Sequence, residues 1–364
     1  MSTDYEMNVP AHPNIYNNNS QREMKIYFSF PEIVNENTGL LLLIPGFGAN
    51  AQSNVYKKMR TRFADEYNLI TIQCHYFGQE FMQGSNRITT QISKEEVSNI
   101  FTSIEMKQVF GQGFNSDKFL QVGSKYNIEL NVNEDLDEKI ENFNDMGIMQ
   151  ALDHVTSLSY IVQILKENNL PYNTKKIILY GHSHGAYLCY LCNAFAPNLF
   201  TLLIDNSSWL YPEYLKSSRF LFSNIGQMRV NTEFSYLASR LDFDKGLLYL
   251  PDLYKQVDNN CNIICFHGTN DNLINHHVKK QFCEQVEGCK FIQIGQGEVD
   301  GKTFRSTSHG LDADFINLFD LVMKNRVFES SRDLNLQSNT IVTERFIYNI
   351  KYQNGVPLLL VQDK

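Results

Sequence analysis

The chain has 364 residues, 43% of them hydrophobic, and a formal net charge of −8. That is enough apolar material for a self-sufficient core, and no Lys/Arg stripe suggests a nucleic-acid or anionic-membrane partner. No apolar stretch approaches the ~20 residues of a membrane span, and residues 1–20 lack the charged and apolar regions of a signal peptide. Seven cysteines, Cys74, Cys189, Cys192, Cys261, Cys265, Cys283 and Cys289, sit mostly in apolar patterns. The odd count and the patterns predict buried, reduced thiols in a cytoplasmic protein.

In chain order, residues 1–21 are polar and Asn-rich and read as a flexible tail. Residues 25–30 read as a strand. Leu40-Leu41-Leu42-Leu43-Ile44 is an uninterrupted apolar run, expected of a strand buried on both faces, and it ends in Pro45-Gly46-Phe47-Gly48. Residues 53–67 form a predicted helix with Val55, Met59 and Phe63 on one face, followed by a strand at 69–74. An insertion is expected over about 78–144. It contains a predicted helix at 93–109 and an acidic run at 133–138 that reads as a solvated helix start. Residues 145–165 predict one long helix, with Ile148, Leu152, Val155, Leu158, Val162 and Leu165 at helical spacing.

The apolar run Ile177-Ile178-Leu179-Tyr180 leads into Gly181-His182-Ser183-His184-Gly185 and then a helical stretch. Strand, G-x-S-x-G turn and helix together are the signature of a nucleophile elbow. The glycines permit the sharp turn, and the helix N-terminus aims N–H groups where negative charge would develop. Cys189 and Cys192 lie inside that helix and read as packing residues rather than a redox or metal pair. A strand at 200–204 precedes a second insertion, about 206–260, which is rich in aromatics: Trp209, Tyr211, Tyr214, Phe220, Phe222, Phe234, Tyr236, Phe243, Tyr249 and Tyr254. It reads either as a lid with an aromatic substrate pocket or as a cap with its own core.

The strand at 262–266 ends in His267-Gly268-Thr269-Asn270-Asp271, which places a carboxylate just past a strand end. A helix at 276–286 and a strand at 290–294 follow. The next loop contains Thr307-Ser308-His309-Gly310, and a helix is expected at 312–324. Ser183, Asp271 and His309 therefore occur in the order that acyl transfer on such a fold requires. Asp205, which also follows a strand, is the rival position for the acid. Residues 331–364 read as a C-terminal β-hairpin with a turn at Asn354-Gly355, expected to extend a sheet edge or make a subunit contact.

Other motifs carry less. Gly301-Lys302-Thr303 lacks the earlier glycine of a phosphate loop, with Gln296 in its place. His276 and His277 are adjacent and do not share one helix face as metal ligands. No metal and no cofactor are inferred.

On Pro45-Gly46-Phe47-Gly48, Gly181-His182-Ser183-His184-Gly185, Asp271 and His309, the chain resembles the α/β-hydrolase superfamily over roughly residues 22–325, in particular its esterases and lipases. It also resembles an uncharacterised bacterial family encoded near flagellar-glycan genes. Many superfamily relatives carry His-Gly where Pro45-Gly46 stands here, and peptidase-like relatives carry glycine where Ala186 stands.

The resemblance implies an α/β-hydrolase fold: a mostly parallel sheet with helices on both faces, a cap, and here a C-terminal hairpin. Ser183 is expected as nucleophile, His309 as base and Asp271 as its orienting acid, with the N–H groups of Phe47 and His184 forming the oxyanion hole. The expected partner is a small-molecule ester, such as an acetylated sugar or a short-chain acyl ester. Peptidase, thioesterase and acyltransferase chemistry on the same three residues, and a non-catalytic binding protein keeping the fold, are the alternatives.

Overall fold

The computed structural model describes residues 1–84, 87–90, 92–331, 334, 336–353 and 355–364, with backbone alone at 87–90. The chain divides into two units. One comprises residues 1–79, 145–212 and 242–364; the other comprises residues 80–144 and 213–241.

The first unit is built on an eight-stranded sheet. Its strands are β1 (Thr3–Pro10), β2 (Glu23–Phe30), β3 (Gly39–Ile44), β4 (Leu69–Cys74), β5 (Ile177–His182), β6 (Leu202–Asn206), β7 (Asn262–Gly268) and β8 (Cys289–Ile294). The order across the sheet is β1-β2-β4-β3-β5-β6-β7-β8. β1 and β2 are antiparallel to their neighbours, and β4 through β8 run parallel. This is the α/β-hydrolase fold.

Burial on both faces explains the apolar runs. Leu41, Leu43, Ile178, Tyr180, Leu202 and Ile204 point to one face. There they meet Tyr56, Met59 and Phe63 of α1 (Asn54–Tyr67) and Leu318, Phe319 and Val322 of a helix at Phe315–Met323. Phe63 and Phe319 stack with ring centroids 4.1 Å apart. Alternate residues point to the other face. That face carries α2 (Ile148–Glu167), packed on β4, and α3 (His184–Phe195), packed on α2, β5 and β6. Every residue of α3 is buried, and Cys189 and Cys192 are among them as free thiols. Helix α4 (His276–Gln285) lies against β7 and β8, and the Phe315–Met323 helix is α5.

The amino-terminal residues, expected as a tail, instead hold β1. The strand pairs with β2 along its whole length, from Thr3 opposite Phe30 to Pro10 opposite Glu23. Tyr5 stacks on Phe28 at 5.4 Å, and Lys25 pairs with Glu6 at 2.6 Å. Cross-strand pairing outweighs the polar composition that suggested disorder.

The C-terminal segment is a three-stranded antiparallel sheet rather than a hairpin: β9 (Asn339–Val342), β10 (Phe346–Gln353) and β11 (Val356–Asp363). It forms its own sheet instead of extending the central one. It lies against α2, and the Tyr352 hydroxyl donates to the Phe195 carbonyl at 3.2 Å. The turn residue Asn354 lies outside the described residues.

The second unit contains a four-stranded sheet of Arg87–Thr90, Glu129–Asp135, Met228–Phe234 and Arg219–Ile225, in that order. Residues 129–134 pair in parallel with 229–234, so the two insertions share one sheet. Two expectations change here. The first half of the acidic run, residues 133–135, is the end of a strand, with Asn133 and Glu134 paired on both sides. The stretch expected as one helix at 93–109 is two helices, Lys94–Ser98 and Ser103–Phe110. Ser93 with Glu96 and Thr102 with Glu105 each form a capping box. The second box starts a new helix inside the stretch expected as one.

Candidate active site

Two close backbone approaches build the elbow. A Cβ on Gly181 would lie 2.4 Å from the Ala186 nitrogen, and a Cβ on Gly185 would lie 2.2 Å from the Ile44 carbonyl oxygen. Only glycine fits either place. Between them Ser183 adopts φ 54°, ψ −119°, a conformation that costs a non-glycine residue about 1–3 kcal/mol. The turn is held from outside: the Ser183 N–H donates to the Asn206 carbonyl at 2.8 Å, and the Ser183 carbonyl accepts from the Tyr187 N–H at 3.0 Å.

Ser183 Oγ lies 2.7 Å from His309 Nε2, and His309 Nδ1 lies 2.8 Å from Asp271 Oδ2. An ionised carboxylate only accepts, so Nδ1 carries the proton and Nε2 is left to accept from the serine hydroxyl. Asp271 Oδ1 accepts the N–H groups of Leu273 at 2.8 Å and Ile274 at 3.0 Å. His267 Nε2 donates to the Ile274 carbonyl at 2.9 Å and stands 3.5 Å from Asp271 Oδ2. Burial alone would push the Asp271 carboxyl up; the His309 hydrogen bond and charge, the Ile274 N–H and His267 outweigh it and hold the group below the usual carboxylate range.

The acid loop and the histidine loop are tied directly. Asn270 N–H donates to the Thr307 carbonyl and Asn270 Nδ2 to Thr307 Oγ1, both at 2.9 Å. A Cβ on Gly268 would sit 2.1 Å from the Thr307 carbonyl oxygen. The structure thus brings together Ser183, Asp271 and His309 from three loops, each at the C-terminal end of a strand or beyond it.

His184 opens α3, so its N–H has no intrahelical acceptor. Phe47 lies in the turn after β3, half-buried, with its ring 5.4 Å from the His184 ring and 5.6 Å from Trp209. The Gly185 contact with Ile44 and Pro45 sets the helix N-terminus directly against that turn. The His184 side chain faces inward, with Nε2 2.8 Å from Gln150 Oε1. Burial holds its imidazole down to about 3, so it stays neutral.

The sequence reading missed His182. Its imidazole is wedged between the Pro45-Gly46 turn and the His309 loop: a Cβ on Gly46 would lie 2.7 Å from Nδ1, and one on Gly310 would lie 2.6 Å from Nε2. Burial, then the nearby His309, lowers this group to about 4. Adjacency to the serine was the available signal. Gln150, Asn206 and His267 were also missed, since nothing local marks them. Asp205, the rival acid, has its oxygens engaged by Ser208, Tyr190 and Lys279. Among the described residues, no group of three or more His, Cys, Asp or Glu side chains is arranged to hold a metal ion, and no helix is long and apolar enough to cross a membrane.

A family model described as a protein of unknown function, DUF2920, matches residues 7–241. No curated protein matches the chain. Similar solved structures include Est1E from Butyrivibrio proteoclasticus with bound ferulic acid, at 14% identity and TM-score 0.44, covering 82% of this chain and 92% of that one. A dienelactone hydrolase from Anabaena variabilis has 11% identity and TM-score 0.42, with 88% and 95% covered. Thermogutta terrifontis esterase 2 phosphonylated by sarin has 12% identity and TM-score 0.43, with 86% and 92% covered.

Proposed function

We propose that this chain, which belongs to the DUF2920 family, is a serine hydrolase that cleaves a carboxylic ester through an acyl-enzyme on Ser183. The observation that carries the reading is the continuous relay from Ser183 Oγ through His309 to Asp271, at 2.7 and 2.8 Å. Ser183 Oγ attacks the acyl carbonyl carbon while its proton passes to His309 Nε2. Asp271 supports the imidazolium that forms. The N–H groups of Phe47 and His184 receive the oxyanion, a kind of donor worth about 3–4 kcal/mol each in the transition state. Collapse of the intermediate expels the alcohol, which takes the proton from His309. Water, deprotonated by His309, then releases the acid.

The substrate class is an acetylated sugar or a short-chain acyl ester. Phe47 and Trp209 supply an aromatic wall beside the elbow helix. The seven free cysteines support a cytoplasmic location.

A fluorophosphonate probe should label wild type at Ser183 and leave Ser183→Ala unlabelled. A panel of p-nitrophenyl esters and acetylated sugars should then reveal turnover. Asp271→Asn should lower kcat about 10⁴-fold with the fold intact. Labelling elsewhere, or equal turnover by Ser183→Ala, would sink the mechanism.

A further inference from the structure

Asp205 ends β6 and Lys279 lies one turn into α4. Both side chains are wholly buried, and Lys279 Nζ is 2.9 Å from Asp205 Oδ2. Both ends of the pair are hydrogen-bonded to further groups. Asp205 Oδ1 accepts the Ser208 N–H at 2.7 Å, and Oδ2 accepts the Ser208 hydroxyl at 2.9 Å and the Tyr190 hydroxyl at 3.0 Å. Lys279 Nζ also donates to Ser208 Oγ, and it stands 4.8 Å from the centre of the Tyr190 ring. A buried ion pair of this kind is a weak source of stability, since desolvation consumes most of the attraction. Its geometry is what demands an account.

The pair joins two loops that meet at the proposed site. On one side, Asp205 immediately precedes Asn206, whose carbonyl receives the Ser183 N–H and whose Nδ2 donates to the Gly310 carbonyl at 3.4 Å. Ser208 leads into Trp209, which packs on Phe47 and His184. On the other side, Lys279 N–H donates to the Asn275 carbonyl at 3.0 Å, at the end of the loop that carries Asp271. We infer that Asp205 and Lys279 are a positioning pair. They hold the Asp271 loop in register with the elbow's support. The inference rests on the serine-hydrolase reading above.

The test uses the whole chain and the rate of fluorophosphonate labelling at Ser183. Asp205→Asn alone strands the Lys279 ammonium in the core and is expected to fold poorly. The informative variant is Asp205→Asn with Lys279→Met, which buries no unpaired charge; Asp205→Asn with Lys279→Gln is a second neutral pair. Each is compared in the native background and beside Asp271→Asn. The expected result is a folded protein that labels about 100-fold more slowly, the cost of about 1 Å of misplacement. In the Asp271→Asn background the same change should cost no more than about twofold, because the acid it positions is already gone.

Native-rate labelling in a folded neutral pair overturns the inference. So does an equal loss in both backgrounds, which marks a structural effect alone. If neither neutral pair folds, the ion pair serves the fold rather than the site, and the inference also falls. Absence of wild-type labelling at Ser183 is a distinct outcome: it removes the reading of the site and the positioning role together.

Discussion

Between pH 7 and 5, three buried imidazoles, offset in part by one buried carboxyl, should together cost this protein about 4–5 kcal/mol of folding stability. Burial lowers His154 and His184 to about 3 and His182 to about 4. In the unfolded chain each titrates near 6.5. Between those values the unfolded state binds more protons, so stability is complete above pH 6.5 and is lost as pH falls toward the folded values. At pH 5 each imidazole contributes a loss of about 2 kcal/mol, or about 6 kcal/mol for three.

Asp145 acts in the opposite sense. Burial, only partly offset by the N–H groups of Met149 and Gly147 and the Tyr16 hydroxyl, raises it to about 6. The native state therefore takes up a proton before the unfolded chain does, and returns about 1 kcal/mol by pH 5. The remaining loss is a third or more of the stability of a typical domain. All four groups belong to the unit that also carries Trp209, the single tryptophan of the chain. Tryptophan fluorescence in urea at pH 7, 6 and 5 therefore reads the right unit. His154→Gln should reduce the pH dependence by about 2 kcal/mol. A stability at pH 5 within about 1 kcal/mol of that at pH 7 would refute the reasoning, because the imidazoles would then not be held neutral by the fold.

Other expectations follow from the elbow and its surroundings. Ser183→Gly should raise the melting temperature while abolishing fluorophosphonate labelling, because glycine adopts φ 54° without the about 1–3 kcal/mol penalty. A melting temperature at or below wild type would count against strain at this position. Gly46→Ala should destabilise by about 1–3 kcal/mol by pressing on the His182 ring. Adding His182→Ala should recover most of that loss in calorimetry, and no recovery would mean the clash lies elsewhere. Trp209→Ala should change the ratio of kcat/KM values among esters of different acyl length, since it removes one wall beside Phe47 and His184. Unchanged ratios would place the acyl pocket away from Trp209.

What the sequence determined by itself was local. The Leu40-to-Ile44 run announces a strand covered on both faces, because only such a strand has no polar alternation. Gly181 and Gly185 announce an elbow, and the contacts there exclude a Cβ. Ser183, Asp271 and His309 were legible because each follows its own strand signal in an order the chain itself displays; the structure then brings their side chains within hydrogen-bonding distance.

Tertiary structure decided the rest. Thr3–Pro10 looks like a tail until β2 pairs with it, and the acidic run at 133–138 looks like a helix start until its first residues pair with strands on both sides. The His182 wedge and the Asp205–Lys279 pair join residues far apart in the chain. A polar side chain carries no local mark of the partner that will bury it. Desolvation, pairing and close packing are properties of the assembled sheet and loops, and they set Asp271 beside His309 and Asp205 beside Lys279 in a way that spacing along the chain does not.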